Sequence, residues 1–307
     1  MLLNSVSDAA SVPAHCIIKD DSLAVAPLDD TQTEEVLAFL SERPACTFIM
    51  AGLIRDNGLE SPLNRGTFYG CRGAAGRLEG VTLIGENTLL EARSEAALEA
   101  LARRTQGTPD VHMVIGEQAQ VRGFWRHYAG QGQAMSRFCR QLLFELRYPV
   151  GFHQPVPGLR PATMDELGQL MAVHARMALE ESGVNPLEVD PQGFERRYAR
   201  RIEQGRAYVY TENGRLVFKA DVISETPEVA YLEGVYVSPE ARGQGYGVRC
   251  LSQLSRHLLS RSKSTCVLAN EQNRAAHALY RKAGYQLRGL YDTIFLHRGR
   301  AGVAHPC

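Results

Sequence analysis

Apolar and polar positions follow the same coarse order in two halves of the chain. Each half opens with a short strand-like run, at residues 23–28 and 158–162, and apolar positions at helical spacing follow. In the second half, Thr163 and Glu166 have the spacing of a capping box, which predicts that a helix begins there. The pattern therefore predicts two similar α/β units in tandem.

A hairpin pattern follows in both halves. In the first, Gly73 to Gly76 precede the β-rich run 77–83. In the second, Asn213-Gly214 joins the runs 208–210 and 215–220. Asn-Gly between β-rich runs is a strong signal for a hairpin, because both residues accept the positive φ of a tight turn.

Beyond the hairpins the halves differ in one connection. The strand predicted at 231–237 leads through a glycine-rich segment into a helix at 248–260, whereas the strand at 88–92 enters a helix directly at Ser94. Each half then ends in a strand, a helix and a closing strand, at 111–115, 118–128 and 135–146 and at 266–269, 274–283 and 286–296. We predict domains at 22–150 and 151–298, joined by a segment rich in proline and glycine. At 307 residues, one large domain is the alternative.

Composition narrows the class of protein. Lys+Arg and Asp+Glu are both 34, and this zero net charge argues against a dedicated nucleic-acid binder. The seven cysteines are scattered and form no CxxC pair, so we expect neither a disulfide framework nor a metal site. No apolar run reaches the length of a membrane span. Residues 1–21 lack a basic segment followed by an apolar core, so we expect no signal peptide and a cytoplasmic location.

The glycine-rich segment after the strand 231–237 is the strongest candidate for chemistry. Arg242 precedes glycines at alternate positions, Gly243, Gly245 and Gly247, and a helical pattern starts at Val248. Exposed amides of such a loop, together with a helix N-terminus, favour an anionic phosphate group. The spacing does not fit a dinucleotide fingerprint, and the Gly-Lys-Ser/Thr of a Walker loop is absent. A glycine-rich turn without a ligand remains the alternative at this point.

Two segments resemble motifs of the GNAT superfamily of N-acetyltransferases. Residues 235–247, Val-Tyr-Val-x-Pro-x-x-Arg-Gly-Gln-Gly-Tyr-Gly, are similar to the family's Gln/Arg-x-x-Gly-x-Gly/Ala motif. Residues 273–285 are similar to its second motif, with Asn273, Tyr280 seven residues later and a closing Gly284-Tyr285. The resemblance covers about residues 158–297 and implies an α/β (α+β) fold, with a mixed central sheet flanked by helices, and an acetyl-CoA-dependent acyltransferase.

The resemblance also implies where acetyl-CoA binds. The backbone of Val235, Tyr236 and Val237 would pair with the amide-bearing pantetheine arm as an added strand does. The segment that would hold the pyrophosphate comprises Arg242, Gly243, Gln244, Gly245, Tyr246, Gly247 and Val248. Asn273 would bind the pantetheine region, and no metal is required.

Candidate catalytic groups follow from the chemistry of acyl transfer, in which an amine loses a proton and a thiolate gains one. Tyr280 matches the family's thiolate partner and is our candidate acid. Glu233 is our candidate base, because alternation along the strand predicts that it shares a face with Val235 and Val237. An ion pair or an exposed position is the alternative for Glu233. His277 fits a surface position on its helix better than a catalytic role, and a chain of waters could replace a side-chain base.

The amine acceptor is predicted less sharply than the acyl donor. Glu180 and Glu181 lie beside a Gly183 turn and could bind an ammonium group, with a solvated helix end as the alternative. We expect a small molecule or a protein to be the acceptor, while the sequence leaves open whether the chain forms a homodimer.

The first unit lacks the glycine loop, and Ala119 stands where the second unit has Asn273. We therefore expect a degenerate copy of the GNAT-like domain that does not bind coenzyme A. Its expected roles are to cover the acceptor cleft and to bury the sheet edge or face of the second domain. Two alternatives for the whole protein remain: an acyl-CoA-binding regulatory protein without turnover, and a Fem-like aminoacyl transferase, which also uses two such domains.

Overall fold

A computed structural model describes residues 23–109, 111–149, 151 and 154–297. Residues 22, 150 and 298, which bound the two predicted domains, lie outside this part, as do residues 1–21. No helix within the described residues is long and apolar enough to cross a membrane.

The first half supplies a hairpin-rich sheet with helices on both faces. Its elements, in chain order, are β1 (Ala24–Pro27), α1 (Thr33–Ser41), α2 (Pro44–Asn57), β2 (Gly66–Arg72), β3 (Leu78–Gly85), β4 (Asn87–Ala92), α3 (Glu95–Gln106), β5 (Met113–Glu117), α4 (Gln118–Tyr128) and β6 (Met135–Leu146).

The second half repeats this order. Its elements are β7 (Arg160–Pro161), α5 (Leu167–Ser182), α6 (Pro186–Val189), α7 (Pro191–Glu203), β8 (Ala207–Glu212), β9 (Arg215–Glu225), β10 (Ala230–Val237), α8 (Tyr246–Leu259), β11 (Thr265–Asn270), α9 (Arg274–Lys282) and β12 (Gln286–Leu296). The predicted capping box is present, with Glu166 Oε2 accepting a hydrogen bond from Thr163 N at 2.9 Å. The predicted Asn-Gly turn is confirmed by φ values of 49° at Asn213 and 73° at Gly214.

All these strands form one mixed sheet, in which the halves exchange their last strands. The order is β1-β2-β3-β4-β5-β12-β6-β11-β10-β9-β8-β7. β6 of the first half pairs with β11, and β12 of the second half pairs with β5, in both cases antiparallel. β6 and β12 pair with each other along their length. Each half of the sheet is therefore completed by a strand from the other half.

Buried side chains cover both faces of this sheet. On one face of the second half, α8 and α9 contribute Leu251, Leu254 and Tyr280 to a core with Phe144 of β6. On the opposite face, α5 and α7 pack through Leu170, Phe194 and Tyr198.

Helix α2 of the first half packs directly onto the second half. Phe48 lies 4.5 Å from Tyr231 between ring centroids, and Ser224 Oγ donates a hydrogen bond to Phe48 O at 2.7 Å. Gly52 makes this approach possible, because a Cβ at that position would lie 2.0 Å from Ser224 Oγ. The two halves therefore share a core as well as a sheet.

Candidate active site

The glycine loop connects β10 to α8 in a conformation that requires its glycines. Gly243 and Gly245 have φ values of 79° and 82°, in the left-handed region that residues with a Cβ adopt at a cost. Gly245 is the N-cap of α8, which begins at Tyr246, two residues before the predicted start at Val248. Gly247 lies within the first turn, where a Cβ would meet Val237 Cγ2 at 2.9 Å and Leu279 Cδ1 at 3.1 Å. The loop therefore holds α8 against β10 while leaving the first two glycines in open space.

The backbone amides of this loop form a candidate binding site for an anion. The backbone amides of residues 243 to 248 have no hydrogen-bond acceptor among the described residues. The first amide of this segment that is bonded within the helix is Arg249 N, which donates to Gly245 O at 3.1 Å. Unpaired amides at a helix N-terminus form a binding site for phosphate. Two polar side chains of the loop bond to nearby backbone carbonyls and stabilise its conformation. Arg242 Nε donates to Val237 O at 3.2 Å, and Gln244 Nε2 donates to Glu240 O at 2.7 Å.

Strands β10 and β11 separate next to this loop. They pair in parallel only at Ala230–Leu232 with Thr265–Val267, and β10 continues to Val237 paired with β9 alone. The edge of β10 at Val235, Tyr236 and Val237 is therefore not paired with β11. A strand edge of this kind accepts an extended, amide-bearing chain.

A β-bulge marks the place where the strands part. Glu233 pairs with Asp221 and Tyr236 pairs with Lys219, so three steps along β10 face two along β9. Gly234 occupies the bulge with φ of 60°. The predicted shared face of Glu233 with Val235 and Val237 is wrong, because the extra residue reverses the alternation. Val235 and Val237 pack toward α8, whereas Tyr236 packs with α5 and α7, on the face that carries Glu233.

A buried charged cluster supports the bulge from β9. Lys219 and Asp221 have fully buried side chains, and Lys219 Nζ lies 2.7 Å from Asp221 Oδ2 and donates to Gly234 O at 3.0 Å. Tyr198 OH donates to Asp221 Oδ1 at 3.0 Å, and Arg201 Nη1 lies 3.3 Å from Asp221 Oδ2. Burial alone would raise the pKa of Asp221, but Lys219 and its other cationic neighbours hold it well below its usual range.

Glu181 stands at the end of α5, on the face that carries Glu233. Glu181 is exposed to solvent, yet protein packed around its carboxyl partly desolvates it and raises its pKa to about 7, and the charges of Glu233 and Glu180 act in the same direction. Arg137, on the exchanged strand β6, donates to Glu181 O at 2.9 Å and so holds this helix end from the first half. Tyr231 OH contacts Glu233 Oε1 at 3.4 Å.

Tyr280 approaches the same region from the opposite face. It is 4% exposed and packs against Phe144 and Tyr285 at centroid distances of 5.6 and 6.1 Å. Burial raises the pKa of Tyr280, and the charge of Glu181 raises it further. Within the described chain its hydroxyl has no hydrogen-bond partner, so the O–H is available to a ligand.

The turn before α9 is held by two side chains of the second motif. Asn273 caps the helix, its side-chain oxygen accepting from Ala276 N at 3.0 Å. The expected surface position of His277 is wrong: it is 7% exposed, and its Nε2 bonds Asn270 O at 2.9 Å. A ring nitrogen bonded to a carbonyl is a donor, so Nε2 of His277 fixes the ring against the turn.

In the first half, a side chain occupies the strand edge that corresponds to the open edge of β10. β4 and β5 also pair in parallel only at their start, Asn87–Leu89 with Met113–Ile115. Beyond it, Gln120 of α4 binds Ala92, accepting from its N at 3.0 Å and donating to its O at 2.9 Å. The helix after β4 begins at Ser94 as predicted, without a glycine loop.

The order of elements, the glycine loop and the separated strands together resemble one family of enzymes, and residues 176–285 match the model of the Acetyltransferase (GNAT) family. The second half contains a GNAT domain. The predicted superfamily, and the predicted fold of tandem GNAT-like units with a mixed sheet flanked by helices, are confirmed. The match of residues 176–285 to this family's model supports acetyl transfer in general terms.

Solved structures are similar in fold along nearly the whole chain. A GNAT-family acetyltransferase from Colwellia psychrerythraea has 14% identity, covers 89% of this chain and 100% of its own, and has a TM-score of 0.54. A tandem GNAT protein from the clavulanic acid biosynthesis pathway has 17% identity, coverage of 92% and 100%, and a TM-score of 0.55. A Drosophila protein has 14% identity, coverage of 91% and 99%, and a TM-score of 0.67. At these identities the likeness concerns the fold. Among curated proteins, no sequence matches this chain.

Proposed function

We propose that the protein transfers an acetyl group from acetyl-CoA to a primary amine of a small molecule or a protein. The observation that carries the proposal is the run of amides from Gly243 to Val248 that have no partner within the described residues, next to the edge of β10 that β11 leaves open. The amides suit the pyrophosphate of coenzyme A, and the edge suits its pantetheine arm.

The proposed binding residues on the donor side are those that line this path. The backbone of Val235, Tyr236 and Val237 pairs with the pantetheine amides, and the loop from Arg242 to Val248 holds the pyrophosphate. The side-chain oxygen of Asn273 is engaged as a helix cap, so we assign its Nδ2 as the group that donates to the pantetheine.

Proton transfer is assigned to two groups on opposite faces of the sheet. Glu181 is the proposed base, because a pKa of about 7 lets its carboxylate accept a proton near neutral pH. Tyr280 is the proposed acid for the leaving thiolate, because its O–H has no partner within the described residues. The amine attacks the thioester carbonyl as its proton passes to Glu181, and the C–S bond breaks as the sulfur takes the proton of Tyr280.

Glu233 and Glu180 complete the acceptor side. Their negative charges next to Glu181 favour an ammonium group over a neutral or acidic acceptor. Glu233 is therefore proposed as a binding group for the amine, an assignment that exchanges the roles first predicted for it and Glu181.

Calorimetry with acetyl-CoA, followed by thiol release over a panel of primary amines, tests the proposal. We expect saturable binding and amine-dependent release of coenzyme A. Binding without release for every amine would favour a regulatory acyl-CoA-binding protein. Absence of binding, with transfer from aminoacyl-tRNA, would favour an aminoacyl transferase.

A further inference from the structure

The bulge at Gly234 has a support that the proposed chemistry does not use. Lys219 extends from the neighbouring strand β9 and donates to the carbonyl oxygen of Gly234 at 3.0 Å. A charged amine with a fully buried side chain is unfavourable unless it is paired and hydrogen-bonded. The partner here is Asp221, two residues along the same strand, at 2.7 Å.

Asp221 is in turn held on its other sides. Tyr198 OH, Arg201 Nη1 and His174 Nδ1 lie 3.0, 3.3 and 3.4 Å from its carboxylate oxygens. These groups come from α7 and α5, so the cluster ties both helices of the acceptor face to the bulge. A Cβ on Gly234 would lie 2.7 Å from Lys219 Nζ and 3.0 Å from Asp221 Oδ2. Glycine is therefore needed at position 234 for two reasons: a Cβ would crowd Lys219 and Asp221, and φ is 60°.

The first half provides an internal comparison. From Gly80–Ala92 to Leu83–Leu89, β3 and β4 pair without a register shift. The inner face of β3 carries Val81 and Leu83, which pack against α1 and α2. This half also has no glycine loop before α3, so the buried pair, the bulge and the loop are found together in one half only.

We propose that Lys219, held by Asp221, is a positioning residue that fixes the Gly234 bulge and thereby the separation of β10 from β11 that receives the pantetheine arm. The inference rests on the proposed function. The Lys219 ammonium replaces the strand partner that the Gly234 carbonyl loses at the bulge. Without that bond, β10 can return toward regular pairing and close the edge at Val235–Val237.

Lys219→Met tests the inference, because methionine fills similar space without donating a hydrogen bond. We expect affinity for acetyl-CoA to fall about tenfold or more, as for a lost hydrogen bond to a charged group. Affinity for 3′-phosphoadenosine diphosphate, which carries the phosphates but no pantetheine arm, should stay near that of the wild type, since the loop at 243–248 is untouched. Both ligands are measured by calorimetry on the full chain.

Arg206→Met is the matched control, because it makes the same kind of change at a cation that pairs with Asp56 and not with Asp221 or Gly234. It should leave both affinities unchanged. If Lys219→Met binds both ligands as the wild type does, or loses both equally, the inference is overturned. Should Lys219→Met fail to fold, Gly234→Ala, which crowds Lys219 Nζ, must show the same selective loss. A wild-type chain that does not bind acetyl-CoA would instead contradict the proposed function.

Discussion

Gln120 holds both backbone groups of Ala92, with its amide oxygen 3.0 Å from Ala92 N and its amide nitrogen 2.9 Å from Ala92 O. The side chain thus binds the edge of β4 as a neighbouring strand would. At the equivalent edge of the second half, Val235–Val237, the side-chain bond found within the described residues is from Arg242 Nε to Val237 O at 3.2 Å, so no side chain there holds both backbone groups of one residue. We expect one acetyl-CoA per chain, and calorimetric titration measures this stoichiometry directly. A value of two would show that the first half also binds.

A charge placed in the glycine loop should abolish binding of acetyl-CoA. In Gly245→Asp the carboxylate would stand among the amides that face the pyrophosphate, so we expect the dissociation constant to rise about 100-fold or more. Gly245→Asn is the matched control, since asparagine tolerates the left-handed region and has the same shape without the charge. Similar losses in both variants, measured by calorimetry, would attribute the effect to backbone strain instead.

Replacement of Glu181 by Gln should remove the base. We expect kcat to fall about 100-fold or more, within the usual contribution of general base catalysis. Glu180→Gln removes a carboxylate of the same charge one residue away and should leave kcat close to that of the wild type. Initial rates at saturating acetyl-CoA and saturating amine measure both values of kcat, and equal losses would contradict the assignment to Glu181.

The same group predicts the pH dependence of the reaction. Desolvation raises the pKa of Glu181 to about 7, so the carboxylate form that accepts the proton is lost as the pH falls below that value. The wild-type rate should therefore decline on the acid side of about pH 7. For Glu181→Gln, kcat plotted against pH should be low throughout and should lack the decline below about pH 7. Persistence of the decline would assign it to another group.

Removal of the Tyr280 hydroxyl should affect the reaction but not the fold. The hydroxyl has no hydrogen-bond partner within the described residues, so Tyr280→Phe loses no internal bond and should keep its midpoint of denaturation. Loss of the acid should lower kcat about tenfold to 100-fold with little change in affinity for acetyl-CoA. A variant with full activity would show that water protonates the thiolate.

The exchange of β6 and β12 predicts that neither half folds by itself. A polypeptide of residues 154–297 would lack β6, which pairs with β11 along Thr265–Asn270, and β12 would lose both of its neighbours. We expect it to be insoluble or unfolded by circular dichroism. Co-expression with residues 23–149 should restore a soluble complex, because the paired strands, not the linker, hold the halves together. A folded, monomeric 154–297 would contradict this.

Local elements could be predicted from the sequence because local patterns specify them. β6, β12 and α4 have the predicted bounds, and the Asn213-Gly214 turn and the Thr163 cap form as expected. Their signals lie in alternation, positive-φ residues and capping side chains within a few positions of each other. The glycine loop belongs to the same class.

What the sequence did not reveal depends on pairing over long distances. The exchange of last strands is decided by which strand edges meet, and the local pattern of a strand does not specify its partner. The face of Glu233 was wrong because one bulge residue reverses the alternation, and only Gly234 hints at it. Lys219 and Asp221, charged residues within an otherwise apolar strand, were a readable signal for the cluster that supports this bulge.

The exchanged strands also bear on synthesis of the chain. β6 leaves the ribosome early, yet its two neighbours begin at Thr265 and Gln286, more than a hundred residues later. Until both neighbours have been made, β6, a strand of twelve residues, has two unpaired edges, which favours pairing with other chains. The sheet can close only after β12 has been made, so the yield of native protein should depend on chaperones that shield this nascent segment.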